Sequence, residues 1–459
     1  MKKRDILEIK VENMEFGGTG TTVVDGIKLS YKGGIAGQKV KMLVKKVRKT
    51  KAEGKILSVL EPAEIETAPT CPHYGICGGC SMLSVPYDEQ IRIKKNQLIE
   101  LFNEAGHTEV ADLEVLKSPS PYEYKNKMEF TFGDKEKGGE LMLGMHAKNS
   151  PMSIEYVHSC MIVDEDYRKI LVATTEFFRN ANLPHYRVLA HEGYLRHLVL
   201  RKGKNTGDIQ VNIVTTTQFE FDMDTYANML TKLTLNGEIK GILHTFNDSL
   251  SDAVIPEKIN LLYGVTDFED ILLDKRFNIS PFSFFQTNTH GAEVLYSAVK
   301  DMIGDKKDII FDLYSGTGTI GITVSDKANK IVGIEIIEEA VEAAKENIKK
   351  NNITNCEFIA GDVATEVSKI SENPELILLD PPRAGIHPKA MGDIISFNSK
   401  EILYISCNPK ALMNDLKVLK SAGYEIQEVI GVDMFPNSPH VETCVLLSHK
   451  KSQASSPSL

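Results

Sequence analysis

From about residue 281 the chain settles into a repeated beat of short apolar stretch, tight turn and amphipathic stretch. "DIIFDL" leads into "YSGTGTIG", "KIVGIEI" into "IEEAVEAAKENIKKN", and "CEFIAGD" into another helical run. "ELILLD" runs into "PPRAG", and "EILYISC" into "PKALMNDLKVLKSAG". Alternation of this kind predicts a parallel sheet with helices on both faces. The last two strand-like segments, "YEIQEVIGVDMF" and "HVETCVLLSHK", are separated only by "PNSP". That is too short for a crossover, so the pair must be antiparallel. The expectation for residues 281–450 is a mostly parallel α/β sheet with one reversed strand at its end.

The chain has 459 residues, more than one ordinary core holds, so two or three domains are expected. Residues 1–62 read as short alternating strands, which predicts a small β-barrel of the oligonucleotide-binding kind. Residues 63–280 read as a mixed α+β region with a helix ending at Gly106, strands such as "KMEFTFG" and "DIQVNIVTTT", and no catalytic constellation. Residues 451–459 read as a disordered tail. No apolar run reaches the roughly 20 residues of a membrane span. The charged N-terminus lacks a signal-peptide core, so a cytoplasmic location without membrane contact is expected. The net charge of -10 argues against a broad nucleic-acid footprint, but "KMLVKKVRKTKAEGK", Lys41 to Lys55, holds seven basic residues and one acid.

"DLYSGTGTIG" ends a strand and opens a helix. Gly316, Gly318 and Gly321 fit G-x-G-x-x-G, and Glu335 ends the next strand, placed for two ribose hydroxyls. A nicotinamide dinucleotide and S-adenosylmethionine both suit such a loop. Asp312, just before it, favours the second, because a carboxylate attracts a cationic amino-acid moiety and repels a pyrophosphate. Asp380 in "LLDPPRAG" ends the fourth strand beside two stiffening prolines, a place to hold a planar base. Asp362, ending "FIAGD", is placed for the adenine side or for a helix cap.

"YISCNPKAL" puts Cys407 at the mouth of the fifth strand, with Asn408 as N-cap and Pro409 as the first helical residue. Ligands of an open parallel sheet bind at that lip. A helix N-terminus beside the thiol is expected to favour its thiolate. If the reversed strand lies beside the fifth, Glu442 faces Cys407. A nucleophile and a base flanking a methyl donor suit methylation at C5 of uracil. A thiolate adds to C6, C5 then attacks the methyl group, and a base removes the C5 proton. Cys407 would be the nucleophile, Glu442 the base and Asp380 a positioner. Cys444 and Cys356 read as core.

"CPHYGICGGCSM" spaces Cys71, Cys77 and Cys80 as metal ligands, with Cys160 the best fourth and His158 and His73 as rivals. Spacing leaves zinc and an iron–sulfur cluster both open.

With these residues the chain resembles the bacterial RNA uracil-5-methyltransferases over nearly its whole length, most closely the 23S ribosomal RNA branch. "SCNP" and "HVET" are similar to that family's nucleophile and base segments. The resemblance implies a Rossmann-like class I methyltransferase domain at 281–450, a TRAM domain at 1–62 and a central domain at 63–280. It implies a [4Fe-4S] cluster on Cys71, Cys77, Cys80 and Cys160. Donor contacts to S-adenosylmethionine are implied for Gln286 in "SFFQTN", Tyr314, Glu335 and Asp380, beside Gly316, Gly318 and Asp362. The implied substrate is a uridine of 23S ribosomal RNA, flipped from a single strand or loop. "YKNKMEF" also resembles a family segment. The alternatives are a tRNA substrate, a non-catalytic RNA-binding protein with a degenerate methyltransferase domain, and an oxidoreductase; intact Cys407, Glu442 and Asp380 oppose the second, and Asp312 with "DPPR" opposes the third.

Overall fold

A computed structural model of the chain describes residues 1–148, 150–366, 369–370 and 372–450. The tail 451–459 lies outside them. Four sheets organise the described residues.

The first sheet holds six strands between Ile6 and Glu61. Strand Ile6–Lys10 pairs with Lys39–Val47 at one end of the sheet, and Asn13–Glu15 pairs with Thr19–Val24 at the other. Only Val11 and Glu12 separate these two outer strands in the chain. Val11 donates its N–H to Gln38 and Glu12 donates to Thr21, so the sheet curls round on itself as a barrel-like unit. Alternation along Lys39–Val47 buries Val40, Met42 and Val44 and turns Lys41, Lys45 and Lys46 outward. The basic segment is therefore a solvated strand face carried on an apolar core of Ile9, Val11, Leu29, Tyr31, Val40, Met42 and Ala52.

A seven-stranded, mostly antiparallel sheet spans Lys127 to Gly264. Helices Glu165–Asn180 and Met223–Leu230 pack on its apolar face, where Phe130, Leu198, Val211 and Ile213 alternate inward. Asp164 starts the first of these helices by accepting the Tyr167 N–H at 3.3 Å.

The third large sheet carries the βα rhythm. Five parallel strands run in the spatial order Cys356–Ala360, Ala328–Glu335, Lys307–Leu313, Leu376–Leu379, Glu401–Ser406. The order reverses between Lys307–Leu313 and Leu376–Leu379, the point at which open α/β sheets bind their ligands. The reversed strand Glu442–His449 inserts antiparallel between Glu401–Ser406 and Tyr424–Val432, as "PNSP" requires. An eighth strand comes from far upstream: Glu114–Leu116 pairs parallel with Tyr424–Val432, and helix Tyr87–Glu104 packs against it. Residues 87–116 are thus part of this sheet's layer, although they fall within the 63–280 segment of the sequence. Three residues carry no readable period, so the strand could not be seen in advance.

Candidate functional site

Sheet register builds the site. Leu313 pairs with Ile334 on one side and Leu379 on the other, so Tyr314, Glu335 and Asp380 emerge side by side at the carboxyl edge. Ser406 pairs with Thr443, so Cys407, one residue further on, faces Glu442.

The glycine loop is locked to the next strand by Glu335, whose two carboxylate oxygens accept N–H groups of Gly316 and Ile337, each at 3.0 Å. Tyr314 holds φ of 66°, unusual for a residue with a side chain. Gly318, at φ 75°, has room for no Cβ, which would stand 2.6 Å from the Phe358 ring. Beneath the loop Asp312 is fully buried. One oxygen accepts the Gly321 N–H at 3.0 Å and the other has no partner. Burial, with the charges of Asp380 and Glu335, pushes its carboxyl up to about 7.

Asp362 precedes the short helix Val363–Glu366 and lies close enough to Tyr314 for its charge to help raise that phenol to about 12, behind the larger effect of burial. Gln286 reaches Tyr296, whose hydroxyl also meets Thr319 and whose neighbours include Asp380 and Asp312. The loop thus gathers Gln286, Tyr314, Gly316, Gly318, Glu335, Asp362 and Asp380 at one edge. "YKNKMEF" gains a physical account here. The Asn126 side chain donates to the Gln286 carbonyl and the Thr289 hydroxyl, both at 2.8 Å, and its backbone N–H donates to Thr287, bracing "SFFQTN".

Cys407 is half-buried at the start of helix Pro409–Ser421. The expected cap residue is Asn408, but its side chain makes no capping bond and donates instead to the Arg383 carbonyl at 2.8 Å. The expectation of a favoured thiolate is corrected: burial, then the facing charges of Glu442 and Asp380, push the thiol up. Glu442 is 4% exposed and is pushed up to about 8, by burial and then by Asp380. Asp380 is itself pushed up to about 7 by burial. One cation opposes this: the Arg383 guanidinium pulls both Cys407 and Glu442 down. Nothing local in "DPPR" marks Arg383 for a role, which arises only because the loop brings it beside Cys407 and Glu442.

Cys71, Cys77, Cys80 and Cys160 line a single cavity with His73, Tyr74, Met128 and Met145. Burial and one another's charges push Cys80 up to about 12 and Cys160 up to about 11. Among the described residues, no group of three or more His, Cys, Asp and Glu side chains is arranged to hold a metal ion. A side-chain carbon on Gly78 would stand 3.0 Å from the His146 carbonyl, so the cysteine segment is tucked tightly against strand Met142–Ala147 there. Cys356 and Cys444 are buried in the apolar core.

Residues 273–450 match the family model described as tRNA (Uracil-5-)-methyltransferase. The chain is 51% identical over 451 residues to an "uncharacterized RNA methyltransferase" of Clostridium tetani, covering 98% of this chain and 99% of that one. It is 44% identical to one of Caldanaerobacter subterraneus subsp. tengcongensis, covering 97% and 99%. Among solved structures, the tRNA (uracil-54, C5)-methyltransferase of Pyrococcus abyssi, in complex with S-adenosyl-L-homocysteine, superposes with a TM-score of 0.76. It is 25% identical, and the match covers 96% of this chain and all of that one.

Proposed function

This chain belongs to the family of S-adenosylmethionine-dependent RNA uracil-5-methyltransferases, and we propose that it methylates C5 of a uridine in 23S ribosomal RNA, with Cys407 as nucleophile and Glu442 as base. The observation that carries the reading is the register of the reversed strand, which sets thiol against carboxyl with Asp380 beside them.

S-adenosylmethionine, when bound, supplies a methyl group on a sulfonium. Cys407 gives up its proton to water and its sulfur bonds to C6, which places a pair of electrons on C5. C5 takes the methyl group, and the donor's sulfur keeps the electrons of the broken bond. Glu442 then removes the C5 proton, the C5–C6 double bond re-forms and the Cys407 sulfur leaves. Arg383 steadies the negative charge that the thiol must acquire between two carboxylates. Gln286, Tyr314, Glu335, Asp362, Asp380 and the backbone at Gly316 and Gly318 are the proposed donor contacts, with Asp312 shaping the loop from below.

Cys71, Cys77, Cys80 and Cys160 are the proposed ligands of a [4Fe-4S] cluster that braces the central region. Their donor set and shared cavity suit it: four irons each take one thiolate, so the sulfurs need not converge on one point as they would for a single ion. The barrel-like unit at 1–62 is the proposed TRAM domain, with its outward lysines on RNA phosphates. The ribosomal RNA substrate rests on the resemblance of the whole chain to the 23S branch of the family.

The full-length likeness to a tRNA enzyme favours a second reading, a tRNA substrate. Transfer of labelled methyl groups to total unmodified bacterial RNA decides between them. Label in 5-methyluridine of 23S RNA is the expected result; label on tRNA overturns the substrate, and no label overturns the activity.

A further inference from the structure

The Glu442 carboxyl makes no hydrogen bond to any described residue, so its position is set by the backbone that carries it. That backbone follows a nine-residue connection, 433–441, whose anchor is Asn437. Asn437 is buried, 2% exposed, and holds φ of 64°. Its carbonyl accepts the N–H groups of Ser81 at 3.0 Å and Met82 at 3.1 Å, the two residues after Cys80. Its own N–H donates to the Gln90 side chain at 2.9 Å, and that amide donates back to the Asn437 side chain at 3.0 Å. Its side-chain N–H donates to the Pro121 carbonyl at 2.7 Å. Gln90 also donates to the Met82 and Val85 carbonyls, which ties the cysteine segment to helix Tyr87–Glu104.

We propose that Asn437 is a positioning residue for the base, through which the cysteine-bearing segment and helix Tyr87–Glu104 together set Glu442 against Cys407. The inference rests on Glu442 being the base. Every bond of Asn437 goes to a structural neighbour and none to Glu442 or Cys407. Loosening it therefore displaces the base while leaving the nucleophile on its own helix start. Bond formation at C6 and methyl transfer need Cys407; only the final proton removal needs Glu442. A displaced base leaves methylated RNA attached to the protein.

The test separates the two halves of the reaction in single turnovers with labelled S-adenosylmethionine, comparing Asn437→Ala, Asn437→Gly and Glu442→Gln. Asn437→Gly keeps the left-handed backbone and the carbonyl that binds Ser81 and Met82, so it decides the matter if Asn437→Ala fails to fold. The expected result is formation of the adduct within about twofold of the parent, resolution slowed at least about tenfold, and an unchanged Kd for the donor. Denaturing gels then show a methyl-labelled RNA–protein band. Resolution within twofold of the parent, or equal slowing of both steps, overturns the proposal. If Glu442→Gln traps the adduct and the Asn437 variants do not, this inference alone fails. If Glu442→Gln traps nothing, the base assignment fails beneath it.

Discussion

Cys407 and Glu442 face each other across the open end of an antiparallel strand pair, one rung beyond Ser406 and Thr443. They come from segments 35 positions apart in the chain, and the reversed strand is what brings them together. Had that last strand run parallel, Glu442 would have begun at the opposite edge of the sheet.

The shared electrostatics of the pair set a pH dependence. Proton removal at C5 needs ionised Glu442, whose carboxyl is pushed up to about 8. Adduct resolution should therefore rise with pH and level off above about 8. Asp380→Asn removes a negative charge that helps to keep the proton on Glu442, so the midpoint should move to lower pH; Arg383→Gln should move it higher. Stopped-time single turnovers across pH measure this, and a flat profile would count against Glu442 as the base.

The same carboxyl costs stability. Its ordinary value is 4.5 and its folded value is raised to about 8. As pH rises above about 4.5 the unfolded chain ionises Glu442 while the folded chain holds it neutral, so stability is lost through that window up to about 8. Glu442→Gln should raise Tm little near pH 5 and by several degrees near pH 8, on the order expected for a few kcal/mol or less in a chain of this size. Differential scanning calorimetry at the two pH values checks the sign; a larger gain at pH 5 would contradict it.

Lys94 and Asp433 form an ion pair at 2.6 Å with neither side chain exposed. Asp433 opens the connection between strand Tyr424–Val432 and Glu442, and also accepts the Phe435 N–H at 3.2 Å. Lys94→Met leaves that carboxylate buried without its cation and should cost about 3–5 kcal/mol in urea unfolding, whereas Lys94→Met with Asp433→Leu should recover most of the loss. A single change costing under about 1 kcal/mol would show the pair to be dispensable.

The four cysteines predict a composition. Protein purified without air should carry iron and acid-labile sulfide in equal amounts, and Cys160→Ser should lose most of both. Zinc in place of iron would keep a metal site and reject the cluster.

Much of this site was legible because its chemistry is local. "SGTGTIG" shows a loop whose glycines are needed at Gly316 and Gly318, and "PNSP" forces the strand reversal that sets Glu442 opposite Cys407. What escaped reading is set by tertiary contact. Strand Glu114–Leu116 exists only because an edge was free for it to pair with. Arg383 acts on Cys407 through a loop fold that no period encodes. The thiol was expected to ionise easily from its helix start, but burial and two carboxylates from other strands outweigh that end. Asn437 gives no signal at all in the sequence, since its partners lie some 350 positions away at Ser81, Met82 and Gln90.

The most direct test of the facing pair is to trap it. Glu442→Gln protein, incubated with labelled S-adenosylmethionine and unmodified 23S RNA, should yield a denaturation-resistant complex whose digest places a methylated uridine on Cys407. The same variant with Cys407→Ala should yield none, while donor binding persists. Methyl transfer that survives Cys407→Ala, or an adduct mapped to another residue, would contradict the account.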